Sequence, residues 1–109
     1  MRSPNQTPQD SLDLLVLKTL QRGPNHGFGI TTHIQSVSDG VLRVEEGSLY
    51  PALHRLERQG YLKAEWNRTD SGRRARFYGL TAAGRKHLTQ EERRWHSVQQ
   101  AVGKVLSFT

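Results

Sequence analysis

The chain has 109 residues, room for one compact domain and little more. Sixteen Lys and Arg against ten Asp and Glu leave a formal charge of +6, and an apolar content of 34% suits one small core that self-association would help to complete. The absence of cysteine excludes a disulfide framework, thiolate catalysis and Cys-based metal sites, and the longest aliphatic run, Leu14 to Leu17, is far short of the ~20 residues a membrane span needs, so a cytoplasmic protein is expected.

Residues 1–10 are polar, carry two prolines and read as a disordered arm. Ser11 and Asp13 open a first helix with Leu12, Leu15, Val16 and Leu20 on one side, and Gly23-Pro24 stops it. A second helix is expected from about Gly29 to Ser36, with Ile30, Ile34 and Val37 at helical spacing, then a turn at Ser38-Asp39-Gly40 and an extended piece from Val41 to Val44. The third helix is placed from Ser48, taken as its N-cap, with Pro51 in the first turn where no amide is missed, and Gly60 ends it.

Two strand-like segments follow, Tyr61 to Asn67 and Arg74 to Leu80, joined by a polar, glycine-bearing link. The first alternates Leu62, Ala64 and Trp66 against Lys63, Glu65 and Asn67. Thr81 is a good N-cap for a final helix reaching about Leu106. The expected architecture is therefore mainly α with a small two-stranded β wing: a winged helix-turn-helix over residues 11–80 and a C-terminal dimerisation helix over 81–109.

The charge is not spread evenly. Six basic residues between Arg68 and Lys86 face only Asp70, which places +5 of the chain's +6 in that window. Such a cluster fits a polyanion partner or a solvated charged face. On the third helix, Leu49, Leu53 and Leu56 share one arc, while Pro51, His54, Arg55 and Arg58 occupy the opposite one, with Ser48 beside it and Tyr50 on a flank. Arginine can bridge guanine O6 and N7, hydroxyls can bond phosphate, and a helix N-terminus offers free amides to an anion. An ordinary solvated basic face is the alternative for this helix alone. The arginine-tipped hairpin that follows, with Arg73, Arg74 and Arg76, favours nucleic acid, because both elements can face one ligand.

In the last helix Trp95, Val98, Val102 and Val105 are spaced 3, 4 and 3, a coiled-coil-like seam with Leu88 one heptad earlier and Leu106 broadening it. Pairing with a second subunit is the natural use of that stripe, and packing on the first helix is compatible with it. Glu91 interrupts the seam at its start. No HExxH or other metal-ligand spacing, phosphate loop, nucleophile motif or acid pair is present, so neither an enzyme nor a cofactor is expected. RNA binding lacks the exposed stacking aromatics that single strands require. A winged-helix module that binds an acidic protein remains the alternative function.

The strings from Leu12 to Leu17, His26 to Ile30, Glu46 to Leu53 with Arg55-Leu56-Glu57, and Arg73 to Arg85 resemble the PadR-type transcriptional regulators over nearly the whole chain, and GSLYPAL is the specific part. The resemblance implies a homodimeric repressor reading a roughly palindromic operator in double-stranded DNA. In it Ser48, Tyr50 and Pro51 begin the recognition helix and Arg73, Arg74 and Arg76 are the basic residues of the wing. It also implies dimerisation through the last helix together with the first (Leu12, Leu15, Val16), and in some members a flat aromatic effector between the subunits, where Trp95 lies. Phe77 departs from the tyrosine that often precedes Tyr78 in that family, and a single short helix follows the wing.

Overall fold

A computed structural model describes residues 9–108, so the arm expected over 1–10 lies outside the described residues except for its last two. Six elements follow in order: α1 (Gln9–Leu20), α2 (Gly27–Val37), α3 (Glu46–Arg58), β1 (Leu62–Arg68), β2 (Arg74–Leu80) and α4 (Ala82–Ser107). The architecture is a winged helix-turn-helix with a long trailing helix. The core forms where the apolar stripes of α1, α2 and α3 converge, through Leu12, Val16, Leu17, Leu20, Ile30, Ile34, Leu49, Leu53 and Leu56. Leu62, Tyr78 and Leu80 of the hairpin and Leu88 of α4 close it.

Helix boundaries follow local chemistry. α1 starts at Gln9 rather than Ser11, since nothing after Pro8 opposes a helix. α2 starts at Gly27, two residues earlier than expected, because His26 caps it: Nδ1 accepts a hydrogen bond from the Gly29 amide at 3.3 Å. At its far end Asp39 (φ 54°) and Gly40 (φ 77°) turn left-handed, and the Gly40 amide returns to the Gln35 carbonyl at 2.8 Å.

Ser48 is not the N-cap of α3. The helix begins at Glu46 with Glu45 as its cap, and the Ser48 amide already donates to the Glu45 carbonyl at 3.0 Å. Pro51 therefore stands inside the helix, one turn beyond its start, where its missing amide leaves the Gly47 carbonyl without a helical donor. The Glu45 carbonyl takes the first helical hydrogen bonds, from the Ser48 and Leu49 amides at 3.0 Å each, so the helix begins before Ser48.

β1 and β2 pair antiparallel from Leu62↔Leu80 to Arg68↔Arg74, and mutual hydrogen bonds between Asn25 and Tyr78 at 2.8 and 3.0 Å add a one-residue third strand. The hairpin tip closes through Thr69 and Arg73, with Gly72 at φ 86° and the Arg68 guanidinium donating to the Gly72 carbonyl at 2.9 Å. Thr81 caps α4 as expected, its hydroxyl accepting from the Gly84 amide at 3.0 Å and donating to the Gly60 carbonyl at 2.6 Å. Gly84 is required there, because a Cβ would run into the Tyr61 carbonyl oxygen.

Candidate nucleic-acid interface

The inner face of α3, Leu49, Ala52, Leu53 and Leu56, is fully buried, and this fixes which residues look outward. Tyr50, Pro51, His54 and Arg58 are exposed at its front, with Ser48 half-buried beside the N-terminus. The Tyr50 ring lies over Gly27 of α2, where an added Cβ would stand 2.6 Å from its Oη, so a glycine is what lets the front of α3 approach the start of α2.

One arginine of the expected basic face and one of the wing are held by acids. Arg55 does not face outward with His54 and Arg58: it is half-buried and donates to the Asp13 carboxylate of α1 at 2.5 Å. Its long side chain reaches back to the nearest acid rather than to solvent. Arg76 donates to Glu57 of α3 at 2.9 Å and lies over the Tyr78 ring with 5.7 Å to its centroid. Glu57, an isolated acid at the edge of a basic face in the sequence, is thus the link between helix and wing. Burial raises the Tyr78 phenol above its ordinary pKa; the Arg76 charge and its hydrogen bond oppose that shift, and Glu57 and Tyr50 reinforce it.

The register extends this arrangement along the wing. Leu62, Ala64, Trp66 and Arg68 share one hairpin face with Leu80, Tyr78, Arg76 and Arg74. Its inner end is core and Arg76 turns to α3, so the same face continues outward on the recognition-helix side. Trp66 does not pack inward as the strand alternation suggested. It is 60% exposed, because the core ends near Ala64 and the hairpin runs beyond it. Distance from the core end, rather than strand periodicity, was the signal that could have found it. Arg73 and Arg74 are exposed at the tip.

Among the described residues no cluster of three His, Cys, Asp or Glu side chains is placed to hold a metal, and no helix is long and apolar enough to cross a membrane.

At the opposite end of the molecule α4 carries a second candidate surface. Its first turns are tied to α1, with Lys18 donating to Glu92 at 3.3 Å, but residues 93–108 are all exposed. Trp95, Val98, Val102, Val105 and Leu106 therefore form an uncovered apolar stripe. Leu12, Val16 and Leu88, expected with them at a subunit contact, are instead buried in the core of the single chain, each 1% exposed or less, since the three-helix core needs both sides of α1. Leu15 is half-buried and keeps some surface. Between α1, the end of α3 and α4 lies a cleft of about 340 Å³ whose walls include Asp13, Leu14, Tyr61, His87 and Trp95, with Tyr61 and His87 stacked at 4.0 Å.

A family model described as the transcriptional regulator PadR-like family matches residues 16–90, from within α1 to the first turns of α4. The chain belongs to the PadR-like family. It is similar to the transcriptional regulator Rv3488 of Mycobacterium tuberculosis, at 46% identity over 68 residues, which cover 62% of this chain and 60% of that protein. Among solved structures, a PadR family transcriptional regulator from Eggerthella lenta superposes with a TM-score of 0.75 at 34% identity, over 91% of this chain and 84% of that one. A transcriptional regulator from Clostridium thermocellum does so with a TM-score of 0.77 at 28% identity, over 85% and 87%. The chain is thus a PadR-like transcriptional regulator, of a family of regulators and not of enzymes, and DNA binding is the activity that membership implies.

Proposed function

We propose that this PadR-like regulator is a homodimeric repressor that reads a roughly palindromic operator and acts by occluding a promoter. The observation that carries the reading is the Glu57–Arg76 pair at 2.9 Å, which ties the arginine wing to the helix whose exposed front bears Tyr50, Pro51, His54 and Arg58. In this reading α3 enters a major groove, its N-terminal turn with Ser48 and Tyr50 meets phosphate, and His54 and Arg58 reach base edges. Arg73 and Arg74 grip the backbone or the adjacent minor groove, while Arg55 and Arg76 anchor the reading helix. The exposed stripe of α4 pairs with that of a second copy, setting two recognition helices one turn of duplex apart, ~34–36 Å. A flat aromatic effector beside Trp95 would change that pairing and release the operator.

The test is a gel shift with the duplex upstream of the protein's own gene, an unrelated duplex as competitor, and rising salt. Retention of the upstream fragment against excess competitor, with steep weakening by salt, is the expected result. Equal loss of both fragments would overturn specific recognition and bring forward a protein partner.

A further inference from the structure

The four wing arginines are in different states. Arg76 is neutralised by Glu57, and Arg68 donates to the Gly72 carbonyl to close the tip. Arg73 has no ion pair or ring contact among the described residues. Arg74 is different again: its guanidinium carbon stands 4.6 Å from the centre of the Trp66 ring, and no carboxylate pairs with it among the described residues. A carboxylate partner would use the N–H donors of an arginine and cancel its charge. An aromatic face does neither, leaving the charge and the donor edges available while fixing the plane of the group. Arg74 is therefore held in place and still fully cationic, the state in which binding an anion costs least side-chain freedom.

Trp66 itself is 60% exposed, on the hairpin face that continues from the core past Arg76 toward the recognition-helix side. A large apolar ring next to an unneutralised arginine suits a ligand that alternates apolar and anionic groups at short range. The sugar-phosphate backbone of a nucleic-acid strand does this at every nucleotide, with deoxyribose C–H groups for the indole and phosphate for the guanidinium. We infer that Trp66 and Arg74 form a two-residue clamp on the DNA backbone strand that runs beside the wing, Trp66 contacting the sugar and positioning Arg74 on the adjacent phosphate. This rests on the reading of α3 and the wing as the DNA surface. The clamp grips without reading bases, so it acts on affinity and on the placement of the wing, whatever the sequence.

The experiment uses the full chain, the upstream duplex and a random-sequence duplex of equal length. Trp66→Ala should weaken binding to both by the same factor, about five- to thirtyfold, the range of one contact worth roughly an order of magnitude in affinity. Trp66→Phe, which keeps an aromatic face, should recover to within about threefold of wild type. Arg74→Ala should lower the slope of log affinity against log salt by about one, and Arg74→Lys should keep that slope while losing affinity. A direct readout comes from acrylamide quenching of tryptophan emission, since the chain has only Trp66 and Trp95. Saturating duplex should shield part of the wild-type emission, and that shielded part should vanish in Trp66→Phe. Wild-type affinity in a folded Trp66→Ala, or shielding that persists in Trp66→Phe, would overturn the clamp alone. If wild-type protein binds neither duplex, the DNA-binding reading falls and the clamp with it. Should Trp66→Ala fail to fold, the quenching difference in Trp66→Phe decides.

Discussion

Tyr78 sits under the joint between wing and recognition helix, and its burial has a consequence for pH. Removing water from the phenol disfavours the phenolate and raises the pKa above the ordinary 10.0, with Arg76 pulling it down and Glu57 and Tyr50 pushing it up. A tyrosine whose folded pKa exceeds its unfolded one binds more protons folded than unfolded in the interval between them. The stability it contributes is thus complete below pH 10 and lost as the pH rises from 10 toward the folded value. Urea midpoints measured from pH 8 to 11 should fall above pH 10 in wild type, and fall less in Tyr78→Phe, which has no phenol to ionise. Parallel curves for the two proteins above pH 10 would show that Tyr78 is not a group that governs alkaline stability.

The elements divide the arginines of α3 into two jobs that their sequence positions hide. Arg55 and Arg58 lie on one outer arc of an ideal helix, yet Arg55 is bound to Asp13 of α1 while Arg58 is exposed. Arg55→Ala should therefore cost about 1 kcal/mol by removing the ion pair that ties α3 to Asp13 of α1, roughly 4–8 °C in melting temperature for a domain of this size. Arg58→Ala should leave the melting temperature in place and alter the order of preference among operator variants in a binding assay. The opposite assignment of effects would reverse their roles. The leucine spacing of each helix, the Thr81 cap and the glycine-bearing hairpin tip were legible because they are local: period, cap and turn act within a few residues. What was not legible depends on the third dimension. Asp13 and Arg55 are 42 residues apart, and Glu57 and Arg76 19 apart, so no spacing rule pairs them. Trp66 has the right parity for the core, but parity says nothing of where the core ends. Ser48 was misread because a good capping residue can be overruled by an extra turn before it.

At the scale of the whole molecule, a body packed around one core carries a helix that leaves it. α4 has 26 residues, about 39 Å of helix at 1.5 Å per residue, and its last 15 residues from Arg93 have no buried member. A helical segment of that length is marginal in water by itself, since nucleation is costly and its own propensity is modest. In the proposed dimer a second copy would supply what is missing, since a stripe with Trp95, Val98, Val102 and Val105 at alternating three- and four-residue steps can pair with its like about a two-fold axis. Val98→Asp with Val102→Asp places charges on that exposed stripe and leaves the buried core residues in place, so the winged part should stay folded. Sedimentation should then give a monomer where wild type gives a dimer, and far-UV circular dichroism should lose helix in proportion to the unsupported end of α4. Binding to a palindromic duplex should fall to that of a single half-site, and shortening the duplex to one half-site should no longer weaken it further. A double variant that remains dimeric would place the subunit contact elsewhere, and the half-exposed Leu14 and Leu15 of α1 would be the surface to substitute next.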